Sequence, residues 1–221
     1  HETNGFGNTA LLYTIIHIIA GGTSLLTGIV ALSIASKPQL HRKIGKVFFY
    51  GMFIVFITAL IMGLKGSLMF LLCIAILSFF STLHGVRSLQ FFKGKQPGLI
   101  DWLSAGALSL AGAYLFIKGV LASITKLNPS VILFIVFGAL MLVLSFGAFR
   151  RLRKLEPRDF KWFRSHRANM GAALIATMTA FSVTALQFLP PLVGWLWPTI
   201  IFAPLLSLMI RRTDMKMGMR M

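Results

Sequence analysis

Seven long stretches of this chain carry almost no charge, and its polar residues gather between them. The apolar stretches run 10–35, 44–64, 67–92, 99–121, 131–149, 168–189 and 192–210. Each matches the length of roughly 18 or more apolar residues that marks a membrane-spanning helix. At about 1.5 Å of rise per residue each can cross a hydrocarbon layer of about 30 Å, the shorter ones only just. Strands are disfavoured because an open strand in lipid leaves backbone groups unpaired. A closed barrel would instead show alternating segments of about ten residues. The pattern therefore predicts an all-α polytopic transmembrane bundle of seven spans, forming a single integral membrane domain over residues 1–221.

Helix breakers fall between the stretches. Lys37-Pro38 closes the first, Pro97-Gly98 precedes the fourth, Asn128-Pro129 opens the fifth and Pro190-Pro191 closes the sixth. Pro198 and Pro204 lie inside the seventh. Each removes a backbone donor and crowds the preceding turn, so the seventh helix is expected to be kinked or partly broken.

Composition agrees with this reading. The chain is 57% hydrophobic with only five acidic residues, too little charge to cover a soluble domain. The net charge of +17 would fit a nucleic-acid partner only if the cations shared one face. They lie instead between the apolar stretches, which excludes nucleic acid and makes them topology signals. Nineteen Lys and Arg fall on one side of the seven spans and three (Lys65, Lys118, Lys126) on the other. The positive-inside rule then places the N-terminus outside and the C-terminus in the cytoplasm of a bacterial inner membrane. Trp195 and Trp197 are expected at the outer interface. The cytoplasmic stretch 150–167, with eight basic residues, reads as a solvated loop touching anionic headgroups. Cys73 reads as a small buried hydrophobe. The chain begins at His1, which leaves a removed leader or a preceding helix open.

The residues that could carry chemistry are few. His17 sits in the outer half of span one, on a face continued by Thr14, Gly21, Ser24 and Gly28. That face is either a close-packing groove with His17 hydrogen-bonded across it, or a haem, metal or quinone contact. His84 lies about 9 Å to the cytoplasmic side of its span midpoint and His17 about 8 Å to the outer side. The two cannot share one haem iron. A haem joining His84 to His41 or His166 would need a shifted helix or a deeper second span.

His41-Arg42 and His166-Arg167 open spans two and six, each pair followed by a glycine (Gly45, Gly171), which hints at an internal repeat. At helix N-termini these pairs would bind anionic lipid phosphate or a small acidic ligand. Asp101, at the start of span four, can cap its helix or pair with Arg87 or His84. His41, His84, His166 and Asp101 could also form a metal site of the kind an intramembrane zinc hydrolase would use. The chain has no His-Glu-x-x-His, Gly-x-Ser-x-Gly, phosphate-loop or dinucleotide motif.

The His17–Gly28 stretch, Leu40-His41-Arg42-Lys43-Ile44-Gly45-Lys46-Val47-Phe48 and His166–Met170 followed by Thr179-Ala180-Phe181 together resemble a family of bacterial polytopic membrane proteins with a His-Arg-x-x-Gly-Arg-x-Tyr signature and no assigned reaction. Phe48 and Phe49 stand where that signature has tyrosine. The resemblance implies a polytopic membrane protein with functional histidines. A looser similarity is to b-type membrane cytochromes, which hold haem between histidines. Three function classes follow: a non-enzymatic lipid- or small-ligand-binding protein or subunit of a membrane complex, a histidine-based haem or metal redox protein, and an intramembrane zinc hydrolase.

Overall fold

The computed structural model describes residues 3–65 and 68–216. His1, the expected start of the third span at Ser67, and Arg220 lie outside them. Among the described residues the chain is all-helical: α1 (Thr3–Ser33), α2 (Pro38–Lys65), α3 (Met69–Phe92), α4 (Leu99–Thr125), α5 (Pro129–Arg153), α6 (Lys161–Ala185) and α7 (Pro191–Lys216). All seven are long and apolar enough to cross a membrane. The chain divides into two compact units, His1–Phe79 and Phe80–Met221, with the boundary inside α3.

The first unit is built on an α1–α2 hairpin. Pro38 opens α2 at its first residue, where a missing N–H costs nothing. Three rungs set an antiparallel register. His41 Nδ1 lies 2.9 Å from the Ala31 carbonyl, Gly51 faces Ser24, and His17 Nδ1 lies 2.8 Å from Thr58 Oγ1. A Cβ on Gly51 would collide with the Ser24 hydroxyl. That fully buried hydroxyl has no conventional hydrogen-bond partner. The Gly51 Cα–H points toward it, a weak donor typical of tight helix crossings. Near the middle of α3, Phe79 stacks on Phe56 with ring centroids 4.7 Å apart, and Phe49 and Phe53 close around it.

In the second unit α4 packs on α5, α6 on α7, and α5 touches α7. The α5 start follows expectation: Asn128 caps the helix by accepting from Val131 N–H at 3.1 Å, and Pro129 is the first helical residue. Small residues let α4 and α5 approach. A Cβ on Gly138 would lie 2.5 Å from the Phe116 backbone nitrogen, and one on Gly119 would lie 2.9 Å from that of Ile135. Trp195 packs edge-on against Phe137 at 5.8 Å, and Trp197 Nε1 donates to Ser182 Oγ at 2.7 Å. Both expected interface tryptophans therefore make contacts within the bundle.

Two expectations need correction. The stretch 161–167 is helix and not loop, so α6 begins at Lys161 and ends at Ala185. Trp162 fixes this longer helix by packing on Phe91 at 5.0 Å, with its indole N–H donated to the Glu156 carbonyl at 2.9 Å. Of the two outcomes expected for the seventh span, a kink or a partial break, the break is absent, because α7 runs as one helix through Pro198 and Pro204. Each proline forfeits one hydrogen bond, whereas unwinding in an apolar medium would strand several polar groups.

What remains of the basic loop is pinned in place. Arg158 adopts a left-handed φ of 62° and donates its backbone N–H to the Phe92 carbonyl at 3.1 Å. Asp159 accepts from the Lys161 backbone N–H at 2.8 Å and pairs with its ammonium at 2.8 Å. Burial works to raise the Asp159 pKa, but the hydrogen bonds and charge of Lys161 outweigh it and hold the carboxyl below its usual range. A depressed folded-state pKa stabilises above the unfolded carboxylate value and loses that contribution as pH falls through the lowered one. Asp159→Asn is therefore expected to lose a little stability at pH 7 and none once the pH is below both values. Unfolding curves of the two proteins that fail to converge in acid would refute this.

Candidate functional site

The densest set of buried polar groups lies in the second unit, where the last half of α3 meets the start of α4. Arg87 is one turn after His84 and one turn before Phe91, so the three share a helix face. Its guanidinium donates Nε to Asp101 Oδ1 at 2.6 Å and Nη2 to Asp101 Oδ2 at 2.5 Å. It also donates Nη1 to Gln90 Oε1 and Nη2 to the Gln96 carbonyl at 3.3 Å, and it lies 4.8 Å over the Phe91 ring. The side chains of Arg87 and Asp101 are 7% and 0% exposed, so this ion pair is out of water. Asp101 accepts in addition from Gly98 N–H at 2.8 Å, closing the first turn of α4. Both roles open to Asp101 on sequence grounds, cap and partner of Arg87, are thus filled by one carboxylate.

One turn deeper, His84 Nε2 lies 3.1 Å from Ser104 Oγ. The Ser104 hydroxyl gives its proton to the Asp101 carbonyl at 3.0 Å, so it accepts from the imidazole. His84 also packs its ring 4.2 Å from that of Phe80. On the α6 side, Gly85 leaves room for Met170, whose backbone nitrogen would be 3.4 Å from a Cβ there. Through that opening His166 Nδ1 reaches the Gly85 carbonyl at 2.8 Å, and Ser88 Oγ donates to Ser165 Oγ at 2.9 Å. The result is a polar seam that ties α3 to α4 and α6.

His166 lies five residues beyond the first residue of α6 and not at its start, which removes the expected N-terminal dipole from its vicinity. Arg167 is paired with the buried carboxylate of Asp214 on α7, with Arg164 3.7 Å from the other oxygen. Sequence reasoning missed Asp214 because the seventh span was ended at Ile210. Asp214 is one helical turn after Ile210, and both are buried, so continuing the apolar face by four residues would have found it.

His41 does lie in the first turn of its helix. Its Nδ1–H satisfies the Ala31 carbonyl, one of the acceptors that the end of α1 leaves without an intrahelical donor. Arg42 beside it is exposed. The suspected repeat is uneven at this level, since Gly171 lies against Leu206 while Gly45 faces open space. His17 bonds across the α1–α2 groove. Thr58 gives its own proton to the Ile54 and Val55 carbonyls, so it accepts from His17. Thr58→Val is expected to destabilise by about 1 kcal/mol, and His17→Phe added to it by little more. A double-mutant cycle with no coupling between the two positions would contradict this bond.

Among the described residues no group of three or more His, Cys, Asp or Glu is gathered as a metal ion would need. Cys73 is buried. The chain matches no protein-family model, no curated protein and no solved structure.

Proposed function

We propose that this chain is a multi-pass protein of the bacterial inner membrane that holds anionic lipid headgroups at its cytoplasmic face without catalysing a reaction, acting as a binding module or as a subunit of a membrane complex. The observation that carries this reading is how the charges are distributed. The acids Asp101 and Asp214 are used up on the buried guanidiniums of Arg87 and Arg167. Arg42, Lys43 and Lys46 in the first unit and Lys93, Lys95, Arg150, Arg153, Lys154 and Arg158 in the second are exposed at or near helix ends and turns, which the positive-inside rule assigns to the cytoplasm. Such a layer of cations attracts anionic lipid by about 1 kcal/mol per residue near the surface. Each of the four imidazoles donates to an oxygen of the protein, which ties it into the fold. Membership of the family with the His-Arg-x-x-Gly signature is part of the same proposal.

Native mass spectrometry of the protein from mixed bilayers tests it. Phosphatidylglycerol should be retained in preference to phosphatidylcholine, with a preference that shrinks as salt rises. Equal retention of the two, or a Soret band that shifts on reduction, would overturn the reading. Topology has its own check. A cysteine at Lys126 should label from outside intact cells, and one at Lys154 only after permeabilisation; outside labelling at Lys154 inverts the orientation.

A further inference from the structure

The α1–α2 hairpin carries an open apolar groove of about 450 Å³. Ile16, Ile19 and Thr23 form its α1 wall, and Val47, Tyr50 and Ile54 its α2 wall. The floor is low because the crossing there is built from Ala20 and Gly51. In the antiparallel register the Thr23 and Val47 end is nearer the turn joining the two helices, and the Ile16 and Ile54 end is deeper in the span. The α2 wall has helical spacing, and the same stripe continues toward the turn. Four residues before Val47 is Lys43, and four before Tyr50 is Lys46, both exposed. From Lys43 to Ile54 is about 16 Å along the helix, close to the depth of one bilayer leaflet.

We infer that this groove is a binding site for one anionic phospholipid of the cytoplasmic leaflet, with an acyl chain lying between α1 and α2 and the headgroup phosphate held by Lys43 and Lys46. The inference rests on the headgroup-binding reading above and narrows it to one place. The charge sits where the occupant's charge must be. An apolar tail entering the groove brings its phosphate to the headgroup level, one turn above Val47, and two ammonium groups are on the stripe at that level. Long lysine side chains can rise from the wall to that level while their methylenes cover it. The exposed Tyr50 phenol, between the lysines and the apolar end, has the amphipathic character of an interfacial residue. A zwitterionic lipid would gain the groove but leave the two cations opposed by its own ammonium.

The test uses the full chain in bilayers doped with phosphatidylglycerol or phosphatidylcholine carrying a photoreactive group near the end of one acyl chain. Phosphatidylglycerol adducts should concentrate in residues 16–23 and 47–54. Lys43→Gln with Lys46→Gln should lower their yield roughly twenty-five-fold, a factor of about five for each lysine, and leave the phosphatidylcholine yield unchanged. Lys43→Arg with Lys46→Arg should restore it, and Ile54→Trp, which fills the groove, should reduce both probes there. Adducts spread evenly over all seven helices, or a yield indifferent to the glutamine pair, would overturn the site. Retention counted by mass spectrometry on the same samples separates the two claims. If the wild type prefers phosphatidylglycerol while the groove adducts ignore Lys43 and Lys46, the groove site is wrong and the headgroup reading stands. If there is no preference at all, both fall.

Discussion

Arg87→Ala is expected to destabilise the protein by about 3–5 kcal/mol, the range for removing one partner of a buried ion pair. The carboxylate left behind is fully buried and keeps only the Gly98 N–H, while Gln90 and the Gln96 carbonyl also lose their donor. Arg87→Lys should fall between the wild type and alanine, because one ammonium cannot make the two-pronged contact with Asp101 or lie flat over Phe91. Replacing both charges, Arg87→Met with Asp101→Leu, should recover much of the loss, since no uncompensated charge remains. Unfolding in one membrane mimetic measures all three. A loss below about 1 kcal/mol for Arg87→Ala would show that the pair does not hold the α3–α4 turn.

The second large effect is expected at Gly138. Its missing Cβ lets α5 lie against the backbone of α4 at Phe116, and backbone cannot swing aside as a side-chain tip can. Gly138→Ala should cost about 1–3 kcal/mol by overpacking, and Gly138→Leu should separate the two helices. Gly106, on α4, is the control, since a Cβ there meets nothing within 4 Å. Gly106→Ala should be neutral or should stabilise by up to about 1 kcal/mol through helix propensity. If both alanine variants behave alike, the close crossing of α4 and α5 is not where the structure has it.

These contacts also mark how far a single sequence can be read. The seven spans were legible because lipid demands that a helix be apolar throughout, and a block such as 131–149 has no other reading. Their ends were not, because a helix can leave the apolar layer and continue among charges. In α6, Lys161 and Arg164 point outward while Trp162 turns in to Phe91, so a segment that is polar by count is helical by packing. The packing face of His17 was visible in its spacing to Ser24 and Gly28, but its partner Thr58, on another helix forty-one positions away, was not. Asp101 was recognisable as a cap and as a partner for Arg87 because a lone acid near lipid needs a cation. Asp214 was hidden among Arg211, Arg212 and Lys216, where an acid looks solvated.

The Arg87–Asp101 pair also bears on how the chain is made. Arg87 is five residues from the end of α3 and Asp101 is the third residue of α4, with only a short turn between the helices. As the ribosome delivers the chain, α3 emerges with a guanidinium that nothing yet neutralises. On insertion scales an arginine or aspartate at mid-bilayer costs about 2.5–3.5 kcal/mol, and less toward the ends. The compensating carboxylate follows fourteen residues later. Entering together as a hairpin, the two helices present the insertion machinery with a neutral, hydrogen-bonded pair in place of two separate charges, so the order of synthesis favours joint release of α3 and α4 into the lipid.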